Sequence, residues 1–356
     1  MNIEFKKFDT KSQIKEHEAL FEDCFPEVYN KEDYRKNYEA VFMHLYHSFP
    51  SVPSSYQYSA MLDGELIGYF AALPYRYKIG SKFITSGMVG GVMISPKYRK
   101  MGLFTQLGKY AAEEQKKSGI SLNFGYPIRK ATAPGLTRMG WETGFELPLF
   151  IKFLKITSLL KTKKLHLLAF ILNPFIDLYH LLLRKEGGED YQIKVYDSIT
   201  KVEGYQAFFG EWISNSSNAL LKDIQFLNWR YGTPGKKYLF FCAYQRDSLK
   251  GLLCARAIVR EGVPSYGILD FMTIDEKCIS DLHKAIHHRA QIDKKEAIMV
   301  MMSNYSAKTY RLYRYGFLKS PFRFKMMMNI LSDDLLKEEL LNEKLWHLMF
   351  VDSDDL

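Results

Sequence analysis

The sequence predicts an α/β protein with two tandem domains, each built on a mixed, mainly antiparallel sheet flanked by helices. Two observations support this fold class. The stretch Val92–Thr105 passes from an apolar strand through a short basic turn with a glycine into a helix. The order of predicted elements around it then recurs in the second half of the chain, about 175 residues later, which indicates an internal repeat.

The first half alternates strands and helices. Asp63-Gly64 is a hairpin turn signal between two apolar runs. Leu103, Leu107 and Tyr110 have the spacing of one helix face. In order, we predict a strand over 3–8, helices over 11–23 and 31–48, strands over 56–62 and 66–73, a strand ending at Ile94, a helix over 103–117, a strand over 120–125, and a short helix before Gly140-Trp141.

The second half repeats this plan and ends in a matching glycine–aromatic pair, Gly316-Phe317. We predict a hairpin of strands over 238–244 and 251–259, a strand over 266–274, a helix over 279–292, a strand over 297–302 and a helix over 304–315. The turn after Ile274 is acidic and has no glycine. It would repel an anion, so we expect the second copy to have lost any such site.

The turn in the first copy has the opposite character. The first N–H groups of a helix lack intrahelical partners, and the helix dipole favours negative charge there. Arg99 and Lys100 add positive charge beside Gly102. These features suit a pyrophosphate.

This segment resembles the acyl-CoA binding motif of the GNAT superfamily of N-acyltransferases, whose signature is Arg or Gln, two residues, Gly, one residue, then Gly or Ala. Arg99 and Gly102 match, and Phe104 occupies the last position. The order of elements over the first 150 residues also resembles the GNAT fold. The resemblance implies acetyl-CoA or another acyl-CoA as cosubstrate, bound without a metal. The implied contacts are backbone groups of Met93 and Ile94, and the turn residues Arg99, Lys100, Met101, Gly102, Leu103 and Phe104.

The residues that would transfer protons are less obvious. Many GNAT enzymes carry a tyrosine acid at the position that Leu136 occupies, so Tyr126 is the nearest substitute, its alternative role being packing. No carboxylate lies in Gly90–Ile94 to act as a base. Asp270 is an acid within an apolar strand, where it needs either a partner or a function. We therefore predict Tyr126 and Asp270 as catalytic candidates.

The chain divides into four predicted regions: a GNAT domain over 1–150, a basic apolar linker over 151–190, a degenerate GNAT-like domain over 191–330, and a C-terminal helix with an acidic tail over 331–356. The linker holds seven Lys or Arg and one acid between Ile151 and Lys185. We expect a kinked helix pair whose apolar face packs on both domains. The alternative is peripheral contact with a membrane through 154–185.

Composition limits the remaining choices. The net charge of +9 suits a polyanionic ligand, but no nucleic-acid module accompanies it, so nucleic acid is the weaker interpretation. The four cysteines are widely spaced, and the N-terminus has no apolar signal segment, which predicts a cytoplasmic protein. His283 and His287 have helical spacing, yet no third ligand is evident, so we expect a solvated face rather than a metal site.

The function predicted from sequence is direct transfer of an acyl group from acyl-CoA to a primary amine of a small molecule or peptide, in a ternary complex. The resemblance leaves two alternatives to this function, a tRNA-dependent peptidyl transferase and a silent binding protein. Tandem GNAT folds occur in acetyltransferases related to the enhanced-intracellular-survival proteins and in tRNA-dependent peptidyl transferases of cell-wall synthesis. A catalytically silent tandem protein used for binding is the third interpretation.

Overall fold

The computed structural model describes residues 2–30, 32–127, 129, 132–162, 164–183 and 191–353. Strands and helices alternate along both halves of the chain, as expected for an α/β protein. In chain order the elements are β1 (Ile3–Lys7), α1 (Thr10–Cys24), α2 (Pro26–Tyr29), α3 (Glu32–Lys36), α4 (Tyr38–His47), β2 (Tyr56–Leu62), β3 (Glu65–Ile79), β4 (Lys82–Ile94), α5 (Leu103–Lys117), β5 (Leu122–Gly125), α6 (Thr132–Arg138), β6 (Glu142–Phe153), α7 (Thr157–Thr162), α8 (His166–Leu182), β7 (Gln192–Tyr196), α9 (Tyr205–Asn215), β8 (Asn218–Leu220), α10 (Ile224–Tyr231), β9 (Leu239–Gln245), β10 (Ser248–Arg260), β11 (Val263–Thr273), α11 (Ile279–Ile292), β12 (Ala297–Met301), α12 (Asn304–Thr309), β13 (Leu318–Ile330), α13 (Lys337–Leu341) and β14 (Trp346–His347).

The chain divides into two compact units. Unit 1 comprises residues 1–145, 232–235 and 325–342, and unit 2 comprises 146–231, 236–324 and 343–356. Each unit takes a strand from the other half of the chain: the end of β13 pairs with β5 in unit 1, and the end of β6 pairs with β12 in unit 2. The compact units therefore differ from the predicted continuous domains with boundaries at 150 and 330.

Unit 1 contains a mixed sheet in the order β1-β2-β3-β4-β5-β13. The β2–β3 hairpin turns at Asp63 and Gly64, both with positive φ, as the turn signal predicts. β3 runs further than predicted, to Ile79, and pairs with all of β4 before the bulge at Gly91. Helix α5 packs its buried face, including Leu103, Leu107 and Ala111, on the same side of this sheet as α6.

Unit 2 contains the sheet order β6-β12-β11-β10-β9-β7. β9, β10 and β11 pair antiparallel with one another in turn, and β11 then pairs parallel with β12. Unit 1 has the same arrangement, in which β2, β3 and β4 are antiparallel and β4 is parallel to β5. Helix α11 spans Ile279–Ile292 as predicted, and its buried residues pack on this sheet. The predicted mixed, mainly antiparallel α/β architecture is confirmed.

Three expectations about unit 2 are wrong. His283 is buried rather than solvated: its ring stacks on Tyr315 at 4.2 Å, and burial lowers its pKa to about 3. Asp352 is not in a solvated tail, because its carboxylate accepts the Met349 N–H at 2.8 Å and is fully buried. The predicted helix over 304–315 is two pieces, α12 and a 3-10 turn over 312–315. Asp354 and Asp355 of the tail lie outside the described residues.

The linker also differs from expectation. Helix α8 is a single helix with Pro174 inside it, and most of its large apolar side chains are exposed rather than packed on both domains. Among the described residues, no helix is both long and apolar enough to cross a membrane. Lys163 and residues 184–190 of the linker lie outside the described residues.

Candidate active site

The parallel strands β4 and β5 of unit 1 separate at one end. Their pairing joins Ser86 to Leu122, Gly87 to Asn123 and Met88 to Phe124. In the described part of the chain, no later pair joins the two strands. β5 ends at Gly125, whereas β4 continues to Ile94, so the rest of this edge of β4 has no strand partner among the described residues; we call the space beside it the gap. Backbone groups on this edge of β4 are therefore available to an extended ligand that lies in the gap.

A β-bulge lies on β4 beside this gap. Tyr69 pairs with Met93 and Ala71 pairs with Gly90, so Gly91 and Val92 together oppose the single residue Phe70. Gly91 has a φ of +66°, a conformation that a glycine adopts without strain. Gly90, Gly91 and Val92 are half-buried at this edge of β4.

The Tyr46 hydroxyl lies directly over the bulge. A Cβ added to Gly91 would be 2.8 Å from this oxygen, so only glycine fits beneath it. The Tyr46 ring packs on Phe42 at 4.9 Å and on Tyr69 at 6.3 Å. Tyr46 is not among the residues predicted from the sequence, since nothing in the sequence connects a residue of α4 with a bulge in β4.

The predicted anion site follows β4 directly. A 3-10 turn over 96–98 leads to Lys100 and Gly102, which both have positive φ, at 70° and 76°. Gly102 is the N-cap of α5, and no described side chain caps this helix. Gly102 and Lys100 are exposed. The first N–H groups of α5 therefore point from a left-handed turn towards solvent, which is an anion-binding arrangement.

Arg99 is held at the end of β4. Its Nε donates a hydrogen bond to the carbonyl oxygen of Ile94 at 3.3 Å, and the Cys24 thiol lies 3.4 Å from the same oxygen. Burial raises the pKa of Cys24, so this thiol is neutral and donates its proton. The carbonyl of Ile94 is thus occupied within unit 1. Ile94 and Met93 have buried side chains, so they could contribute only backbone groups to a ligand.

Phe104 departs from the family signature, and the structure shows how this residue fits. A Cβ on Gly135 of α6 would lie 2.6 Å from the Phe104 ring, so the ring rests against bare backbone there. Phe104 also packs on the core formed by α5 and the sheet. The large side chain therefore turns inward, and its N–H remains at the start of α5. Leu103 is buried in the same core, whereas Lys100, Met101 and Gly102 are exposed in the turn.

The two candidate acid positions behave differently. Leu136 is buried in the core of unit 1, which agrees with the absence of an acid at that position. Tyr126 comes directly after Gly125, where β5 ends and the gap begins, and its ring contacts Phe124 edge-on at 6.3 Å between centroids. Tyr126 is thus placed at the end of the strand that borders the gap. Its catalytic role stays a prediction.

The corresponding end of unit 2 has the same strand geometry but a different turn. Pairing of β11 with β12 ends at Ile268 and Val300, and Leu269 forms a bulge opposite β10. The Asp275 carboxylate then accepts the N–H of Lys277, and the Tyr191 hydroxyl holds the pKa of Asp275 below its ordinary value. Helix α11 follows Cys278, which has a right-handed conformation. The turn before α11 is therefore acidic and lacks the left-handed helix start found before α5.

Asp270 has a partner inside unit 2. Its Oδ1 lies 2.7 Å from the Lys222 ammonium, 3.0 Å from the Phe271 N–H and 3.4 Å from the His347 Nε2. Lys222 and Asp270 are both fully buried. Burial works to raise the pKa of Asp270, but Lys222 and His347 outweigh it and hold the pKa below its ordinary value. This environment favours an internal ion pair, the alternative that the sequence left open, over a catalytic role.

No described cluster of histidine, cysteine or acidic side chains could hold a metal ion. His287 lies beside His180, with ring centroids 5.3 Å apart, and the buried His283 faces aromatic rings. The spacing of the two histidines therefore reflects packing.

Comparison with known proteins agrees with this geometry. The family model of the acetyltransferase (GNAT) domain matches residues 7–144. The matched range contains the β4–β5 gap and the turn before α5. Acyl transfer is the general chemistry of the family.

Solved structures share the fold over almost the whole chain. A GCN5-related N-acetyltransferase from Anabaena variabilis has a TM-score of 0.66 and 13% identity, covering 93% of this chain and 73% of its own. A protein of unknown function from Enterococcus faecalis, described as a probable N-acyltransferase, has a TM-score of 0.63 and 12% identity over 93% and 73%. A GCN5-related N-acetyltransferase from Kribbella flavida has a TM-score of 0.63 and 11% identity over 92% and 71%. No curated protein matches the chain.

Proposed function

We propose that this protein is an N-acyltransferase that moves an acetyl or longer acyl group from acyl-CoA directly to a primary amine. The observation that carries the proposal is the conjunction, in one GNAT domain, of a gap between β4 and β5 with an uncapped, left-handed helix start at Gly102. The gap suits the extended pantetheine arm. The helix start suits the pyrophosphate, with Arg99 and Lys100 adding positive charge.

Three groups of residues would hold the cosubstrate. Backbone groups of Met93 and the N–H group of Ile94 would bind pantetheine at the open edge of β4. N–H groups from Met101 to Phe104 would bind the pyrophosphate. An N–H group of the bulge would polarise the thioester carbonyl and stabilise the oxyanion as the amine attacks.

The chemical step needs no covalent enzyme intermediate. The amine nitrogen attacks the thioester carbonyl carbon, the new C–N bond forms, and the C–S bond breaks to release CoA thiolate. The amine proton passes to water, since β4 offers no carboxylate, and the thiolate receives a proton from an acid. We propose Tyr126 as that acid because it lies where β5 ends. Tyr46, over the bulge, is the other hydroxyl beside the gap.

The acceptor is an amine of a small molecule or a peptide. An amino sugar, a polyamine, an aminoglycoside and a peptide amine all have the required nucleophile. We propose a cytoplasmic site of action, where acyl-CoA is available. The four buried free thiols, Cys24, Cys242, Cys254 and Cys278, are consistent with a reducing compartment.

The test is release of CoA thiol from acetyl-CoA across a panel of amines. We expect turnover with at least one amine, and Tyr126→Phe should lower kcat by about 100-fold without weakening acetyl-CoA binding. Tyr46→Phe is the matched control, because it removes the hydroxyl that lies over the Gly91 bulge. Loss of activity in Tyr46→Phe alone would assign the acid to Tyr46.

Two outcomes would favour the alternatives. Acetyl-CoA binding without turnover across the panel would indicate a silent binding protein. Absence of acetyl-CoA binding together with tight, steeply salt-dependent tRNA binding would indicate a peptidyl transferase that uses aminoacyl-tRNA.

A further inference from the structure

Helix α8 of unit 2 presents its apolar side chains to solvent. Phe170 is 87% exposed, Leu167 is 78% exposed and Phe175 is 64% exposed. The exposed apolar side chains of this segment are Leu165, Leu167, Leu168, Phe170, Ile171, Leu172, Phe175, Leu178, Tyr179, Leu181 and Leu182. At 100° per residue they cover an arc of about 200° around the helix. A single exposed leucine is ordinary, but a continuous face of this size marks an interaction surface.

The opposite, more polar face of α8 attaches the helix to unit 2. The Asn173 amide accepts the Ile156 N–H at 3.0 Å and donates to the Thr157 hydroxyl at 3.1 Å. The His180 Nε2 donates to the Phe153 carbonyl oxygen at 2.7 Å. Ala169, one turn before Asn173, is buried. These three residues lie at spacings of four and seven, on one side of the helix, so hydrogen bonds fix the apolar side outward.

We propose that α8 docks on the surface of an anionic membrane, with its apolar face among the upper acyl chains and its axis along the bilayer plane. Burying a large apolar side chain contributes about 1.5–3 kcal/mol. A helix with this much exposed apolar surface therefore has a strong drive to leave water.

Charge favours a membrane over a second copy of the chain. Lys155, Lys161 and Lys164 are exposed just before α8, and the whole chain carries a net charge of +9. Anionic headgroups attract these lysines, whereas a second copy of the chain brings the same positive charges and repels them. Asp177 is the one acid within the helix, and it lies near the edge of the apolar arc.

The same residues favour lying on the membrane over crossing it. α8 has 17 residues, Asp177 and Pro174 lie within it, and one side is hydrogen-bonded to unit 2. A spanning helix needs about 20 mainly apolar residues without such attachments. The arrangement is that of a monotopic anchor.

The experiment is flotation of the full-length protein with vesicles of phosphatidylcholine alone or mixed with phosphatidylglycerol. We expect binding to the mixed vesicles. Phe170→Ser with Phe175→Ser should weaken it by about 100-fold, since each step of about 1.4 kcal/mol is tenfold. The matched control is Phe83→Ser with Val259→Ser, which removes exposed apolar side chains outside α8 and should leave binding unchanged.

Charge reversal at Lys155, Lys161 and Lys164 to glutamate should weaken binding to the mixed vesicles by about tenfold or more. In Phe170→Trp, the indole emission should shift to the blue when vesicles are added. All variants change exposed residues, so their thermal unfolding should match the wild type.

Unchanged flotation in the Phe170/Phe175 variant would overturn the proposal. Analytical ultracentrifugation tests the alternative that a second copy of the chain covers α8. A wild-type dimer that becomes monomeric in the same variant, with no vesicle binding by either protein, would assign α8 to contact between two copies.

Discussion

The ion pair between Lys222 and Asp270 allows a sharp test of what Asp270 does. Asp270→Ala removes the carboxylate and leaves a fully buried ammonium without its countercharge. Breaking a buried pair on one side typically costs about 3–5 kcal/mol. The Phe271 N–H and the His347 Nε2 also lose an acceptor, so we expect the upper part of this range. For a unit of this size, that lowers the unfolding temperature by roughly 10 °C or more.

The double variant Lys222→Met/Asp270→Leu separates the two roles. Removing both charges together leaves two apolar side chains, and replacing a buried ion pair by apolar residues is often neutral or stabilising. We expect it to recover most of the stability lost in Asp270→Ala. If Asp270 only stabilises unit 2, the double variant also retains acyl transfer.

Urea unfolding followed by circular dichroism gives the stability difference, and thiol release from acetyl-CoA gives the activity. Lys222→Met alone serves as the reciprocal single change, leaving a buried carboxylate. A stable double variant that has lost turnover but still binds acetyl-CoA would contradict the structural role and restore Asp270 as a catalytic candidate. An Asp270→Ala protein as stable as wild type would refute the energetic reasoning itself.

Two further predictions concern pH and the bulge. Burial, followed by the Lys222 charge, lowers the pKa of His347 to about 4. Because the unfolded state then binds more protons between about pH 6.5 and 4, stability should fall as the pH falls through that window, by up to about 3 kcal/mol, measured by urea unfolding; His347→Gln should reduce the dependence. Gly91→Val should weaken acetyl-CoA binding at least tenfold and lower stability by about 2 kcal/mol, because valine disfavours a φ of +66° and would meet the Tyr46 hydroxyl. Unchanged binding in this variant would place the cosubstrate elsewhere.

Local signals predicted the elements that build the site. The Asp63-Gly64 pair located the β2–β3 turn, and helical spacing located α5 at Leu103–Lys117. A turn and a helix each depend on residues that are close in the sequence, so local sequence patterns predict both well. The left-handed turn before α5 was also predictable, since glycine is the residue that adopts a positive φ without strain.

Contacts that are distant in sequence were not predictable in the same way. The pairing of β13 with β5 joins Met327 to Gly125, and no local pattern indicates that partner. The place of Tyr46 over Gly91 depends on how α4 packs. Likewise, the buried acid Asp270 indicated a need for a partner, but the identity of Lys222 required the fold.

The sequence also did not predict which side of a helix is buried and which is exposed. The apolar linker was correctly expected to be helical, but the expectation that its apolar face packs on the domains was wrong for α8. His283 shows the converse, since a polar residue expected at the surface lies among aromatic rings. Periodicity defines which residues share a face, and tertiary hydrogen bonds such as those of Asn173 decide which face turns inward.

Calorimetric titration with acetyl-CoA tests the proposed cosubstrate site most directly. Wild type should bind with micromolar affinity, and Gly102→Glu should lose binding because a carboxylate and a side chain then occupy the helix start. Gly204→Glu is the matched control: Gly204 is also a left-handed N-cap glycine, with a φ of 71°, at the start of α9. It should bear the same backbone strain and bind like wild type. Equal binding by wild type and Gly102→Glu would contradict the assignment of the turn before α5 as the cosubstrate site.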